Sequence, residues 1–181
     1  MLFRSARLGL IQACLGGIVV LATSTLNRIM VVELALPAVL PGLLVAMHYG
    51  VQILRPRMGF GSDRSGRCTP WILGGMAVLA CGGVLGAVAV VTMSTSLASG
   101  IALSVLAFLL IGVGVSASGT SVLVLLAKRV SARRRAGAAT LVWLMMIAGF
   151  AITAGVAGHL LDPYSEARLL AVAAGVAAIA M

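Results

Sequence analysis

An all-α integral membrane protein is the fold class this sequence predicts, and three observations carry that reading. Hydrophobic residues make up 61% of the chain, charged ones 9%, and mean hydropathy is +1.17. That is more apolar than a single water-soluble core could hide. From Trp71 to Ala127 no Asp, Glu, Lys, Arg or His interrupts the chain, and one spanning helix needs about 20 such residues. Finally, the basic residues fall in clusters that alternate with the apolar runs, the pattern that orients a protein across a bilayer.

Arg4 and Arg7 precede the first apolar run, 8–32. This opening is similar to a secretory leader, but no small-residue cleavage site followed by a soluble domain appears, so the run is read as a span that stays. Asn27, Arg28 and Glu33 interrupt its outer end. Pro37 and Pro41 suit the first turn of the next helix, where a missing N–H costs nothing, and a second span is placed over 37–57. A charged hinge, Arg55–Pro70, then holds four of the thirteen basic residues and one of the four acids. The third span is expected over 71–91 and the fourth over 101–126, joined by the polar hairpin Thr92–Gly100. A fifth covers 137–158, followed by a polar turn, His159–Arg168. Residues 169–181 are too few to cross a bilayer as a helix. The sixth span is thus read as incomplete, and the chain as a fragment or a truncated product.

The net charge of +9 invites a nucleic-acid reading, but its distribution argues for topology instead. Arg4, Arg7, Arg55, Arg57, Arg64, Arg67, Lys128, Arg129, Arg133, Arg134 and Arg135 fall on one side of this layout. Only Arg28 and Arg168 fall on the other. By the positive-inside rule the N-terminus and both basic turns face the cytoplasm of a bacterial inner membrane. The lipid bilayer is then the first partner, and nucleic acid is not one. Small-residue pairs, Gly82 with Gly86, Gly114 with Ser118 and Ala154 with Gly158, are expected where helices approach closely.

No catalytic motif is present: no nucleophile elbow, HExxH or phosphate loop. Cys14, Cys68 and Cys81 lack metal-ligand spacing. An enzyme is not the reading. Glu33 is the one carboxylate placed near the membrane zone, a functional candidate by default, with an ion pair to Arg28 as the plainer account. His48 lies in the second span; its imidazole can ligate a metal, including the magnesium of a chlorin, or pack as a hydrogen-bonded core residue. Ser116, Ser118, Thr120 and Ser121 form a polar patch in the fourth span that faces a cavity or bonds back to its helix. His159 and Asp162 are read as solvated turn residues.

Gly59-Phe-Gly-Ser-Asp63-Arg64-Ser-Gly66-Arg67 resembles the loop motif between the second and third helices of the major facilitator superfamily. Gly59 leaves room between helices, Gly66 permits a tight turn, and Asp63 can accept from a helix N-terminus or pair with a base. In that superfamily the loop helps hold the two halves of a transporter in one of their alternating states. Cys68 stands where the pattern has a further basic residue. Gly112-Val-Gly114 is similar to a second superfamily motif without the upstream arginine of proton-coupled members, so proton-coupled antiport is not implied.

Thr25-Leu-Asn27-Arg28, Glu33-Leu-Ala-Leu-Pro37, Arg55-Pro-Arg57 and Thr69-Pro-Trp71 resemble a narrower group, the PucC/LhaA-like bacteriochlorophyll-delivery family. The resemblance covers essentially the whole chain. It implies the N-terminal six-helix half of a major-facilitator fold, its sixth helix truncated, and a role assisting light-harvesting antenna assembly by binding or delivering bacteriochlorophyll. Bacteriochlorophyll then enters as cargo, and no other cofactor is implied. The partners implied are a C-terminal half or a second copy, together with antenna polypeptides. Asn27, Arg28, Glu33 and His48 become family-signature residues for cargo or coupling. A secondary transporter of a small solute and a pigment-free antenna chaperone are the alternatives.

Overall fold

The computed structural model describes residues 2–181, with side chains from Ala6 onward, so the side chain of Arg4 lies outside the described set. The described chain is helical throughout, joined by short turns. Its first column is α1 (Leu2–Val20), a π-helical turn (Leu21–Leu26) and α2 (Asn27–Val32). The wide turn coincides with two side chains that bond back to the ladder. Thr23 Oγ1 donates to the Val19 carbonyl at 2.9 Å, and Asn27 Nδ2 donates to the Thr23 carbonyl at 2.8 Å. Such back-bonding competes with regular helical pairing.

The second column is α3 (Val39–Val51), a 3₁₀ turn (Gln52–Leu54) and α4 (Arg55–Arg64). Two expectations are corrected here. Pro37 lies in the turn before the helix, while Pro41 sits in its first turn. The charged stretch after Arg55 is mostly helix rather than loop, with only residues 65–67 outside it before α5 (Cys68–Thr95) begins. Pro56 sits at the start of α4, where its fixed φ favours helix, and the reversal falls at Gly66, whose φ of +68° is costly for residues with a side chain.

The polar hairpin shrinks likewise: Ser96 alone separates α5 from α6 (Leu97–Arg129). Thr92, Ser94 and Thr95 turn their hydroxyls onto carbonyls three or four residues back, so they end the helix without unwinding it. A 3₁₀ turn (Ala132–Arg134) leads into α7 (Arg135–Leu160), and Ser165 caps α8 (Glu166–Ala180) by accepting from the Arg168 N–H.

Four helical runs, Ala6–Val32, Cys68–Thr95, Leu97–Arg129 and Ala132–Leu160, are long and apolar enough to cross a membrane. The chain is therefore an all-helical integral membrane protein. The second column is not among these four, since His48, Gln52, Arg55, Arg57, Asp63 and Arg64 dilute its apolar stretch, and α8 is 15 residues long.

Packing rests on glycines where helix backbones meet. A Cβ on Gly75 would stand 2.5 Å from the Ser118 nitrogen, and one on Gly82 would stand 3.0 Å from the Ala107 carbonyl. Across α1 and α7, a Cβ on Gly16 would meet the Met146 carbonyl at 2.9 Å, and one on Gly149 would collide with the Ala13 backbone. Lipid is as apolar as Leu, so close van der Waals contact is what holds such helices together. Gly82, Gly86, Gly114 and Ser118 do sit in buried helix contacts. The third small pair does not: a Cβ on Gly158 would meet nothing within 4 Å, because that face of α7 points away from the bundle. Ile18, Leu21, Leu26, Met30, Leu79, Phe108 and Ile111 fill the core between α1, α5 and α6.

Candidate functional site

Three places in this bundle bring chemistry-bearing residues together. At the end carrying the basic turns, Asp63 Oδ1 pairs with Lys128 Nζ at 2.7 Å, tying α4 to the foot of α6. The same nitrogen reaches the Asp63 carbonyl at 3.3 Å. Gly59 makes the approach possible, since a Cβ there would meet the Thr120 methyl at 2.9 Å. Arg64, Gly66 and Arg67 line the exposed turn. Cys68 is buried, its sulfur 3.9 Å from the Ser62 carbonyl. A basic side chain at that position would have to place its charge in the packed turn, which is costly.

The Asp63–Lys128 pair is exposed, and exposed pairs contribute little because water screens them. Lys128→Ala is therefore expected to leave the melting temperature within error of the parent. A loss of more than a few degrees in a detergent melt would show that the pair braces the fold.

At mid-depth, α3 presents His48 fully buried. Its Nε2 lies 2.8 Å from Gln52 Nε2, one turn on, and its Nδ1 is enclosed without a hydrogen-bonding partner. With the amide so placed, Gln52 donates to Nε2 and the ring proton rests on Nδ1. With the amide turned over, Nε2–H donates to Oε1 and Nδ1 carries a free lone pair. The helix crosses α6 at Gly112, where a Cβ would stand 3.0 Å from the His48 carbonyl. Ser116 Oγ donates to the Gly112 carbonyl at 2.7 Å, as back-bonding predicts. Gln52 was not singled out from the sequence, although its i, i+4 spacing from His48 is the signal that would have found it.

At the opposite end, Asn27 keeps Oδ1 buried without a partner, and Arg28 and Glu33 are exposed. The Arg28–Glu33 ion pair does not form. The two lie five residues apart, about 140° around a helix of 3.6 residues per turn, and Glu33 falls just beyond the end of α2. Glu33 instead faces the turn between α7 and α8. There burial, then the carboxylates of Glu166 and Glu33, hold the Tyr164 phenol above its usual range. Glu166 also accepts from Ser94 Oγ at 2.9 Å, latching α8 to the end of α5. His159 and Asp162 are exposed, and both line the mouth of a groove of about 820 Å³ between α1, α7 and α8. Asn27, Arg28, Glu33 and His48 are thus not gathered into one site: His48 lies on α3, and the others cap the far end of the first column.

Comparison with known proteins follows the same grain. The model of the family described as PUCC protein matches residues 25–181. A Rhodobacter capsulatus protein named "Bacteriochlorophyll synthase 44.5 kDa chain" is 62% identical over 164 residues, covering 91% of this chain and 38% of that relative. "Protein PucC" from Rhodobacter capsulatus is 34% identical, covering 97% of this chain and 41% of its own length. "Protein PucC" from Cereibacter sphaeroides is 30% identical, with 94% and 40% covered. The chain thus spans about two fifths of the length of these curated relatives. No solved structure matches it. The extent of the family match, over most of the helical bundle just described, establishes that this chain belongs to the PUCC protein family.

Proposed function

We propose that this chain is the N-terminal, major-facilitator-like half of a membrane factor that assists light-harvesting antenna assembly, binding bacteriochlorophyll and handing it over. The observation that carries this reading is the 62% identity, over 91% of the chain, to a relative whose name refers to bacteriochlorophyll. The word synthase in that name belongs to the relative. Here Asp63 is engaged by Lys128, and Glu33, Asp162 and Glu166 are exposed near the opposite end. That arrangement favours binding over acid–base chemistry, which works best with carboxylates in enclosed, pKa-shifting surroundings.

Within this reading His48 is the residue to contact the pigment. Its Nδ1 becomes a magnesium ligand when the Gln52 amide is turned over, and reaching it requires α3 to part from α6 at the Gly112 crossing. The 3₁₀ turn at 52–54 sits directly below and supplies a hinge. A C-terminal half, or a second copy, completes the path, and the N-terminus and basic turns face the cytoplasm.

The test is to purify the protein from a strain that makes bacteriochlorophyll and measure pigment per chain. About one pigment per chain is expected. Protein free of pigment that still crosslinks to antenna helices would replace delivery with the chaperone reading. Uptake of a small solute by pigment-free vesicles would favour an ordinary transporter.

A further inference from the structure

The groove between α1, α7 and α8 carries an assignment separate from pigment handling. Apart from Thr153, its walls are apolar from Gly149 on α7 and Ala180 on α8 up to a mouth that holds Asp162 and Arg168. From Gly149 to His159 is ten residues, about 15 Å at 1.5 Å per residue. The hydrocarbon depth of one leaflet is also about 15 Å, half of a 30 Å core. The groove therefore has the reach of a single acyl chain running from the interface to the bilayer centre.

The mouth has a definite charge pattern. Arg168 Nη1 donates to the Pro163 carbonyl at 2.8 Å, which orients the guanidinium and leaves other N–H groups to bind elsewhere. Asp162 lines the same mouth, and no ion pair joins it to Arg168. Arg168 is also one of only two basic residues assigned to this end of the bundle. A guanidinium and a carboxylate held at one mouth but not joined complement a headgroup that carries both signs. The phosphate goes to Arg168, with the imidazole of His159 as a second donor, and an N–H-bearing ammonium goes to Asp162.

We propose that this groove binds one phosphatidylethanolamine, its acyl chain between α7 and α8 and its phosphoethanolamine head bridging Arg168 and Asp162. A choline head offers the carboxylate no N–H, and a glycerol head offers no positive charge, so both bind more weakly.

Gly175 provides the means of testing it, because it lines the groove and a Cβ there meets nothing within 4 Å. The protein is incorporated in nanodiscs of equal parts phosphatidylethanolamine, phosphatidylcholine and phosphatidylglycerol, then extracted in mild detergent. Retained lipid is counted by native mass spectrometry. The parent is expected to keep one phosphatidylethanolamine with a roughly tenfold preference over either competitor, about 1.4 kcal/mol. Gly175→Phe is expected to lose it, while Gly74→Phe, an equal change on the open face of α5, keeps it. Asp162→Asn is expected to erase the preference over phosphatidylcholine, and Arg168→Gln to lower retention of all three. If Gly175→Phe does not fold, the two charge variants, both exposed, carry the result. Equal retention by Gly175→Phe and parent, an unchanged preference in Asp162→Asn, or pigment displacing phospholipid from the groove would each overturn the assignment.

Discussion

Gly114→Leu is expected to remove most folded protein from the membrane. A Cβ at this position would stand 2.6 Å from the Leu79 nitrogen and 2.7 Å from the Gly75 carbonyl. These are backbone atoms of a neighbouring helix, and no rotamer change moves them aside. The larger residue must push α5 from α6 where the two are most tightly apposed, at a cost of about 3 kcal/mol. Against a total stability of about 5–15 kcal/mol, that is a large share. Membrane helices also have no hydrophobic force between them to restore a lost contact. Gly158→Leu is the matched control, because its Cβ points into open space. Expression level and melting temperature of the two variants in one detergent decide the matter. A Gly114→Leu protein that melts with the parent would mean the α5–α6 contact is looser than described.

His48→Leu is expected to cut bound pigment at least tenfold while the protein accumulates normally. The stability side of this expectation follows from chemistry. The substitution removes one hydrogen bond, about 1 kcal/mol, and leaves the part-buried Gln52 amide without its partner. Leu fills a similar volume in an apolar setting and offsets much of that loss. A His48→Leu, Gln52→Leu double variant removes both polar groups and should melt at or above the single variant. Pigment loss in both, at unchanged protein level, assigns the imidazole to cargo. Full pigment retention in the double variant makes His48 a packing residue and moves the search for the pigment contact elsewhere.

Some of this was legible in the residues alone. The charge-free run from Trp71 to Ala127, the glycine at the tight turn at residue 66, and Gly82 and Gly114 as points of close approach all follow from local composition, and the bundle shows each of them. The charges of the hinge suggest solvent and therefore a loop. In the structure they ride on a helix that runs on to Arg64, with Asp63 turned to Lys128 from a segment 65 residues away. Arg28 and Glu33 looked paired because they are near in sequence, but helical geometry turns them apart. Ala154 with Gly158 matched the small-residue pattern as well as the other pairs, yet a Cβ on Gly158 would meet nothing within 4 Å, since the pattern states that a face is smooth and not what lies against it.

Apolar content decided by itself that this chain is built for lipid, because a bilayer responds to sums along each segment: enough greasy length to cross. The family likeness too was visible in short strings of residues. What only the tertiary structure decided is which groups share a space. It enclosed His48 beside Gln52, carried Glu33 to Tyr164, and turned His159, Asp162 and Arg168 from turn residues into the mouth of a groove. Those outcomes depend on the rotation and depth of each helix against its neighbours, set by backbone contacts at a few glycines, and no segment read singly contains that information.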